Sequence, residues 1–175
     1  MRAISLIEPY ATLIVSHGKR VGDTRIKGKQ VETRSWYTGY RGPIAIHASA
    51  GKPKWAREAC ENSYIKEVLG LLGYTFDTLP RGGIRGLANL YDVVKFLVPG
   101  GVPTHPRELD PWAKFSPQEL AFGDFTEDRF GFGLKEIREL PEIVPCAGAL
   151  SIWEVPQDVE DRITALLAPP QPVQV

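Results

Sequence analysis

Apolar and polar residues alternate with short periods along most of the chain, and no single period is sustained for long. Residues 2–7 form an apolar run of strand length. Glu8-Pro9 then predicts a helix with Pro9 at the first helical position, Ala11, Leu13, Ile14 and Val15 as its apolar side and Gly18 as its stop. Residues 19–30 are polar, carry Gly22 and Gly28, and predict an exposed loop or hairpin tip. From Gln30 to Trp36 the pattern turns extended, with Val31 and Thr33 on one side and Glu32 and Arg34 on the other. Tyr40-Arg41-Gly42-Pro43 predicts a turn, and Ile44 to Ala48 a buried strand. One helix is expected over 53–72, opened by Pro53 and closed by Gly73.

A long strand follows from Ile84 to Leu97, with a bulge or bend at Gly86. Residues 98–114 are Pro-rich and irregular. Ser116-Pro117-Gln118-Glu119 reads as a capped helix start, Ser116 and Glu119 forming a capping box. Further strands are expected over 130–137 and 149–155, then a helix over 156–167 and a Pro-rich tail over 168–175. About five or six short strands with helices inserted among them, and no regular βαβ alternation, predict an α+β fold with a small closed or half-closed sheet. A chain of 175 residues suits one such domain, here 1–167.

Composition narrows the picture modestly. Hydrophobic residues make up 43% and charged residues 24%, which suits a globular chain rather than a disordered one. No apolar run reaches the roughly 18–20 residues of a membrane helix. Glu8 and Pro9 interrupt the first apolar run before a signal core forms. The expectation is a cytoplasmic protein with no membrane partner. Cys60, Cys146, His17, His47 and His105 show no metal-ligand spacing, so neither a metal nor a cofactor is expected.

Charge is more informative in its placement than in its total, which is zero. Residues 1–57 hold eleven Lys and Arg against Glu8, Asp23 and Glu32, an excess of eight balanced by the rest of the chain. Such a segment suits an anionic ligand, although a solvated basic face has the same composition.

The densest chemistry lies in Lys27-Gly28-Lys29-Gln30-Val31-Glu32-Thr33-Arg34-Ser35-Trp36. In an extended chain Gln30, Glu32 and Arg34 share a face, with Lys29 at its mouth. Two cations flanking a carboxylate beside a Trp can read a base: the cations hold phosphate, Glu32 accepts from an N–H, and Trp36 offers a stacking face. The same Glu32 and Arg34 also make an ordinary surface ion pair. Tyr10, Trp36, Tyr40 and Phe132 are stacking candidates that equally suit a core. Arg41 is placed for phosphate, and Ser35 and Ser49 for donation into a cleft. His47 has two readings, a hydrogen-bonded structural histidine or a ligand contact.

Taken in order, Ile4-Ser5-Leu6, Glu8-Pro9-Tyr10-Ala11, Lys29 to Trp36, and Tyr40-Arg41-Gly42-Pro43-Ile44-Ala45-Ile46-His47-Ala48 closely resemble the ASCH domain. Phe122-Gly123-Asp124-Phe125, Phe130-Gly131-Phe132 and Cys146 to Pro156 are similar to that family's closing strands, so the resemblance spans about residues 3–156. It implies a PUA-like fold, a small β-barrel with flanking helices, and a partner that is RNA or a modified nucleotide. Some ASCH proteins bind; others hydrolyse N4-acetylcytidine or RNA. On that second branch Lys29 and Glu32 would be catalytic. The amidohydrolase members carry Thr where this chain has Glu32, and the two cations beside Glu32 favour its ionised form, so binding is the main expectation. Lys19 rivals Lys29 as the motif lysine, but only Lys29 keeps the three-residue step to Glu32.

Overall fold

The computed structural model describes residues 1–97 and 115–168. The expected irregular stretch 98–114, His105 within it, and residues 169–175 of the tail lie outside the described residues.

The chain begins with strand β1 (Arg2–Leu6) and helix α1 (Tyr10–Val15), followed by a small hairpin of β2 (Arg20–Val21) and β3 (Thr24–Arg25). Next come β4 (Val31–Arg34), β5 (Gly42–Ala48), α2 (Lys54–Ala59) and α3 (Ser63–Leu72). Then β6 (Gly83–Lys95), α4 (Pro117–Ala121), β7 (Phe130–Pro145), β8 (Ile152–Glu154) and α5 (Gln157–Leu167) complete the described residues. The fold is α+β. Its sheet is a six-stranded half-barrel in the order β4-β7-β6-β5-β1-β8, leaving β4 and β8 as edges. β1 and β5 run parallel, and every other pairing in the sheet is antiparallel.

Two apolar layers hold the helices to the sheet. Ile14 and Val15 of α1 pack on Ile46, Leu90 and Phe132 of the sheet's inner face, while Leu13 clusters with Ala56 of α2, Ile65 of α3 and Phe122 at the end of α4. On the outer face α5 buries Val159 and Ile163 against Ala45, Ile84 and Leu140.

Several boundaries differ from expectation for identifiable reasons. Pro9 caps α1 rather than opening it: its carbonyl accepts from the Leu13 N–H at 2.9 Å. The single helix expected over 53–72 is two, because the Asn62 side chain accepts from the Tyr64 N–H at 3.0 Å and starts a new one. In α4, Ser116 accepts from the Glu119 N–H as expected, but Glu119 does not reach back to complete a capping box. Its carboxylate accepts instead from the Val31 N–H at 2.9 Å and from the Gln30 N–H, tying α4 to the start of β4. Burial pushes the Glu119 carboxyl upward despite these donors and the nearby Lys29. β7 is about twice its expected length, its charged middle held in the sheet where Glu139 meets buried Arg85 at 3.0 Å. The bend expected at Gly86 is present as a register shift between Ile84 and Gly86.

Among the described residues no helix is long and apolar enough to cross a membrane, and no group of three or more His, Cys, Asp or Glu is placed to hold a metal ion.

Candidate functional site

Lys29 owes its position to glycine. The Lys29 N–H donates to the Leu13 carbonyl at 2.8 Å, and His17 Nδ1 donates to the Gly28 carbonyl at 3.1 Å, so this chain segment lies flat against the end of α1. A Cβ on residue 28 would stand 2.2 Å from the Leu13 carbonyl oxygen, a clash with backbone that cannot swing aside. Gly28 therefore permits the close approach that turns Lys29 inward.

The Lys29 side chain is only 1% exposed. Its ammonium donates to the Phe122 carbonyl, stands 3.3 Å from Glu32 Oε2 and lies 5.3 Å from the centre of the Tyr10 ring. One residue pair further along β4, Arg34 Nη2 donates to the Ser5 carbonyl at 2.8 Å. Arg34 Nε is 3.0 Å from Glu32 Oε1, an ion pair without hydrogen-bond alignment. The Glu32 carboxylate, 8% exposed as a residue, is thus held between two cations, one on each oxygen. Lys19 is occupied elsewhere, its ammonium 2.7 Å from Glu139.

These groups line a cavity of about 320 Å³ with Tyr10, Trp55, Phe122, Asp124 and Arg129. Tyr10 and Trp55 stack with ring centres 6.4 Å apart, and Trp55 is 53% exposed. Burial, reinforced by Glu32, raises the Tyr10 hydroxyl above its ordinary value, so it stays protonated and available as a donor.

A second cavity of about 670 Å³ adjoins the first, sharing Ile7 and Arg34 with it. Trp36, His47, Ser49 and Gly148 are among its lining residues. His47 is 2% exposed, and its Nε2 lies 3.1 Å from the Cys146 carbonyl, which fixes Nε2 as the protonated nitrogen. Nδ1 is then a buried acceptor with no partner. Burial lowers the imidazole below its ordinary value, outweighing that hydrogen bond.

The sequence candidates thus separate into three groups. Tyr10, Lys29, Glu32 and Arg34 line the smaller cavity; Arg34, Trp36 and His47 line the larger. Ser35, Tyr40 and Arg41 line neither. Ser35 is exposed. The Tyr40 hydroxyl donates to the Pro43 carbonyl, and Arg41 donates to the Thr38 and Tyr40 carbonyls, so both stabilise their own turn. Gln30 does not join Glu32 and Arg34: Glu119 pins its backbone, and it lines a separate small cavity with Ser116 and Glu119. Trp55, Asp124 and Arg129 were not singled out by residue pattern. Trp55 sits in a helix where its aromatic ring interrupts a polar stretch, and Asp124 lies within one of the family-like closing motifs.

The chain is similar to the crystal structure of ASCH from Zymomonas mobilis, at 18% identity over 94% of each chain with a TM-score of 0.49. It is also similar to two point variants of that protein, at 15% and 16% identity, both with a TM-score of 0.48, over 94% of this chain and 96% and 94% of theirs. No family model and no curated protein matches the chain. Likenesses this distant carry no weight for the ligand, which is a matter for the cleft's own side chains.

Proposed function

We propose that this chain is an ASCH-type reader of a nucleobase, presented free or at an unpaired position in RNA. The observation that supports the reading best is Glu32 held at the cavity floor by Lys29 at 3.3 Å and Arg34 at 3.0 Å, beside the Tyr10–Trp55 stack. Glu32 is oriented to accept from a ring N–H or an exocyclic amine, and a Lys29 proton left over from Phe122 and Glu32 can donate to a base carbonyl. Trp55, half exposed at the mouth, gives a base a face to stack on, worth about 1–3 kcal/mol.

The same pairing favours binding: a cation at each oxygen fixes the Glu32 carboxylate as a positioned acceptor. The competing reading is a hydrolase of N4-acetylcytidine or RNA, with Lys29 as electrophile or base and Glu32 as proton shuttle. Incubating the native protein and Glu32→Gln with both compounds separates the two. Binding without turnover is expected. Turnover by the native chain that falls about 100-fold in the variant, the scale of a general acid or base, would overturn the reader.

A further inference from the structure

The larger cavity is not needed to bind one base, yet it has the features of a built site. His47 places on its wall a buried acceptor, Nδ1, that lacks a partner. Buried polar groups are rarely left unpaired, and each exception calls for an explanation. Gly148 covers that ring so closely that a Cβ there would stand 2.4 Å from His47 Cε1 and 2.7 Å from both His47 Nδ1 and Ser5 Oγ. Two residues on, Leu150 lines the same cavity while 92% exposed, and Ser151 holds a left-handed φ of 58°. An apolar side chain held out over a cavity by a strained backbone has gained nothing from folding by its position.

Arg34 stands in the partition between the two cavities. Nε faces Glu32 and Nη2 donates to Ser5, whereas Nη1 has no partner among the described residues. The guanidinium centre lies 6.0 Å from the centre of Trp36, whose ring borders the larger cavity only.

We infer that the larger cavity is a second subsite, so that the cleft takes two consecutive nucleotides of a single strand and spans their phosphodiester with Arg34. The inference rests on the base-reading role of the smaller cavity and narrows it from a free nucleoside to a strand. One base enters beside Glu32 and Trp55. The linking phosphate meets the open Nη1 edge, a charge-assisted contact. The next base lies against Trp36 and Leu150, over the Gly148 loop that covers His47. The cavity sizes agree with this division, the smaller being at the low end for small-ligand sites and the larger well within their range.

The test is calorimetric titration of the full chain with each of the four nucleoside monophosphates and the matching ribodinucleotides. For the base that binds, the dinucleotide should bind about tenfold tighter or better, as one added stacked base implies. Leu150→Glu, at an exposed position, should bring dinucleotide affinity to within about twofold of the monophosphate and leave the monophosphate unchanged, because a carboxylate repels the second nucleotide. Gly148→Ala should do the same by displacing the loop from His47. Equal affinities for one and two nucleotides in the native chain would overturn the second subsite and leave the single-base reading standing. A dinucleotide advantage that survives both variants would overturn it as well. No binding of either ligand would remove both readings.

Discussion

At the scale of residues, the cleft is organised by one charge that cannot escape. The Lys29 ammonium, on a side chain almost wholly buried, meets Glu32, the Phe122 carbonyl and the face of Tyr10, with Glu119 nearby. Glu32, by contrast, touches a second cation, Arg34, at 3.0 Å. The pair is therefore asymmetric. Glu32→Ala strands a buried cation, for which the cost is about 3–5 kcal/mol. Lys29→Met removes the buried charge altogether and leaves Glu32 paired to Arg34, so it should cost distinctly less. Urea unfolding of the two variants checks this, read from midpoints at constant slope. Equal losses, or the reverse order, would mean that Lys29 is not held by Glu32. Either variant should weaken nucleobase binding, so stability and affinity are separable: Lys29→Met is expected to lose affinity while retaining most of its stability.

At the scale of elements, the site depends on how an edge strand is seated. Among the described residues β4 pairs with β7 alone, through Glu32 opposite Phe132 and Arg34 opposite Phe130, and contacts outside the sheet complete its placement. Glu119 of α4 receives its first N–H groups, and Gly28 lets the segment before it lie on the end of α1. Gly28→Ala should destabilise by about 1–3 kcal/mol, the cost of overpacking against something rigid, and should weaken binding by shifting Lys29. Thermal unfolding and titration together test it; native stability and affinity in the Gly28→Ala variant would show that the close approach is dispensable. This also explains what was readable beforehand. The alternation from Glu32 to Arg34 follows from strand period, whereas the three-residue step from Lys29 to Glu32 was legible only in the motif, because Lys29 precedes β4 and is turned inward by Gly28. Glu119 joins β4 across 88 residues of chain, and Trp55 reaches Tyr10 from another helix, neither of which any local period encodes. The split between α2 and α3 was hidden because Asn62-Ser63 falls inside a continuous apolar rhythm. The length of β7 was hidden because its charged residues read as loop, whereas Glu139 completes a buried network with Arg85, Glu8 and Thr12. There burial raises the Glu8 carboxyl, even though the Thr12 N–H and Arg85 oppose the rise.

At the scale of the whole molecule, folding redistributes the charge that stands out in the linear chain. Acids from beyond residue 57 return onto the basic segment: Glu139 onto Lys19, Asp92 onto Arg41, Asp77 onto Arg57 and Glu58 onto Lys54. Lys29 and Arg34 share Glu32. Much of the excess of eight is thereby cancelled locally, and its total overstates the field a polyanion meets. Arg2 and Lys52 also lack an ion pair among the described residues, and the rest of what survives lies at one hairpin, beside Asp23. In the β2–β3 hairpin Arg20 and Arg25 stand directly opposite one another, both exposed, and exposed Lys27 follows two residues on. None of the three has an ion pair among the described residues. Like charges across a strand pair are destabilising, so folding alone does not favour this arrangement, whereas a phosphate backbone would. If the chain binds single-stranded RNA beyond the cleft, these three are the residues that displace its counterions. Each neutralised phosphate contributes about −0.7 to the slope of log affinity against log salt, so the hairpin should account for a slope of about −2. Replacing Arg20, Arg25 and Lys27 together by Ala should flatten the native slope by about that amount, with no loss of thermal stability and little change in affinity for a free monophosphate. Labelled oligonucleotides titrated at several salt concentrations measure it. A slope that the triple variant leaves intact would move the polyanion contact off the hairpin, and native binding indifferent to salt would exclude an extended strand, leaving the cleft to short ligands alone.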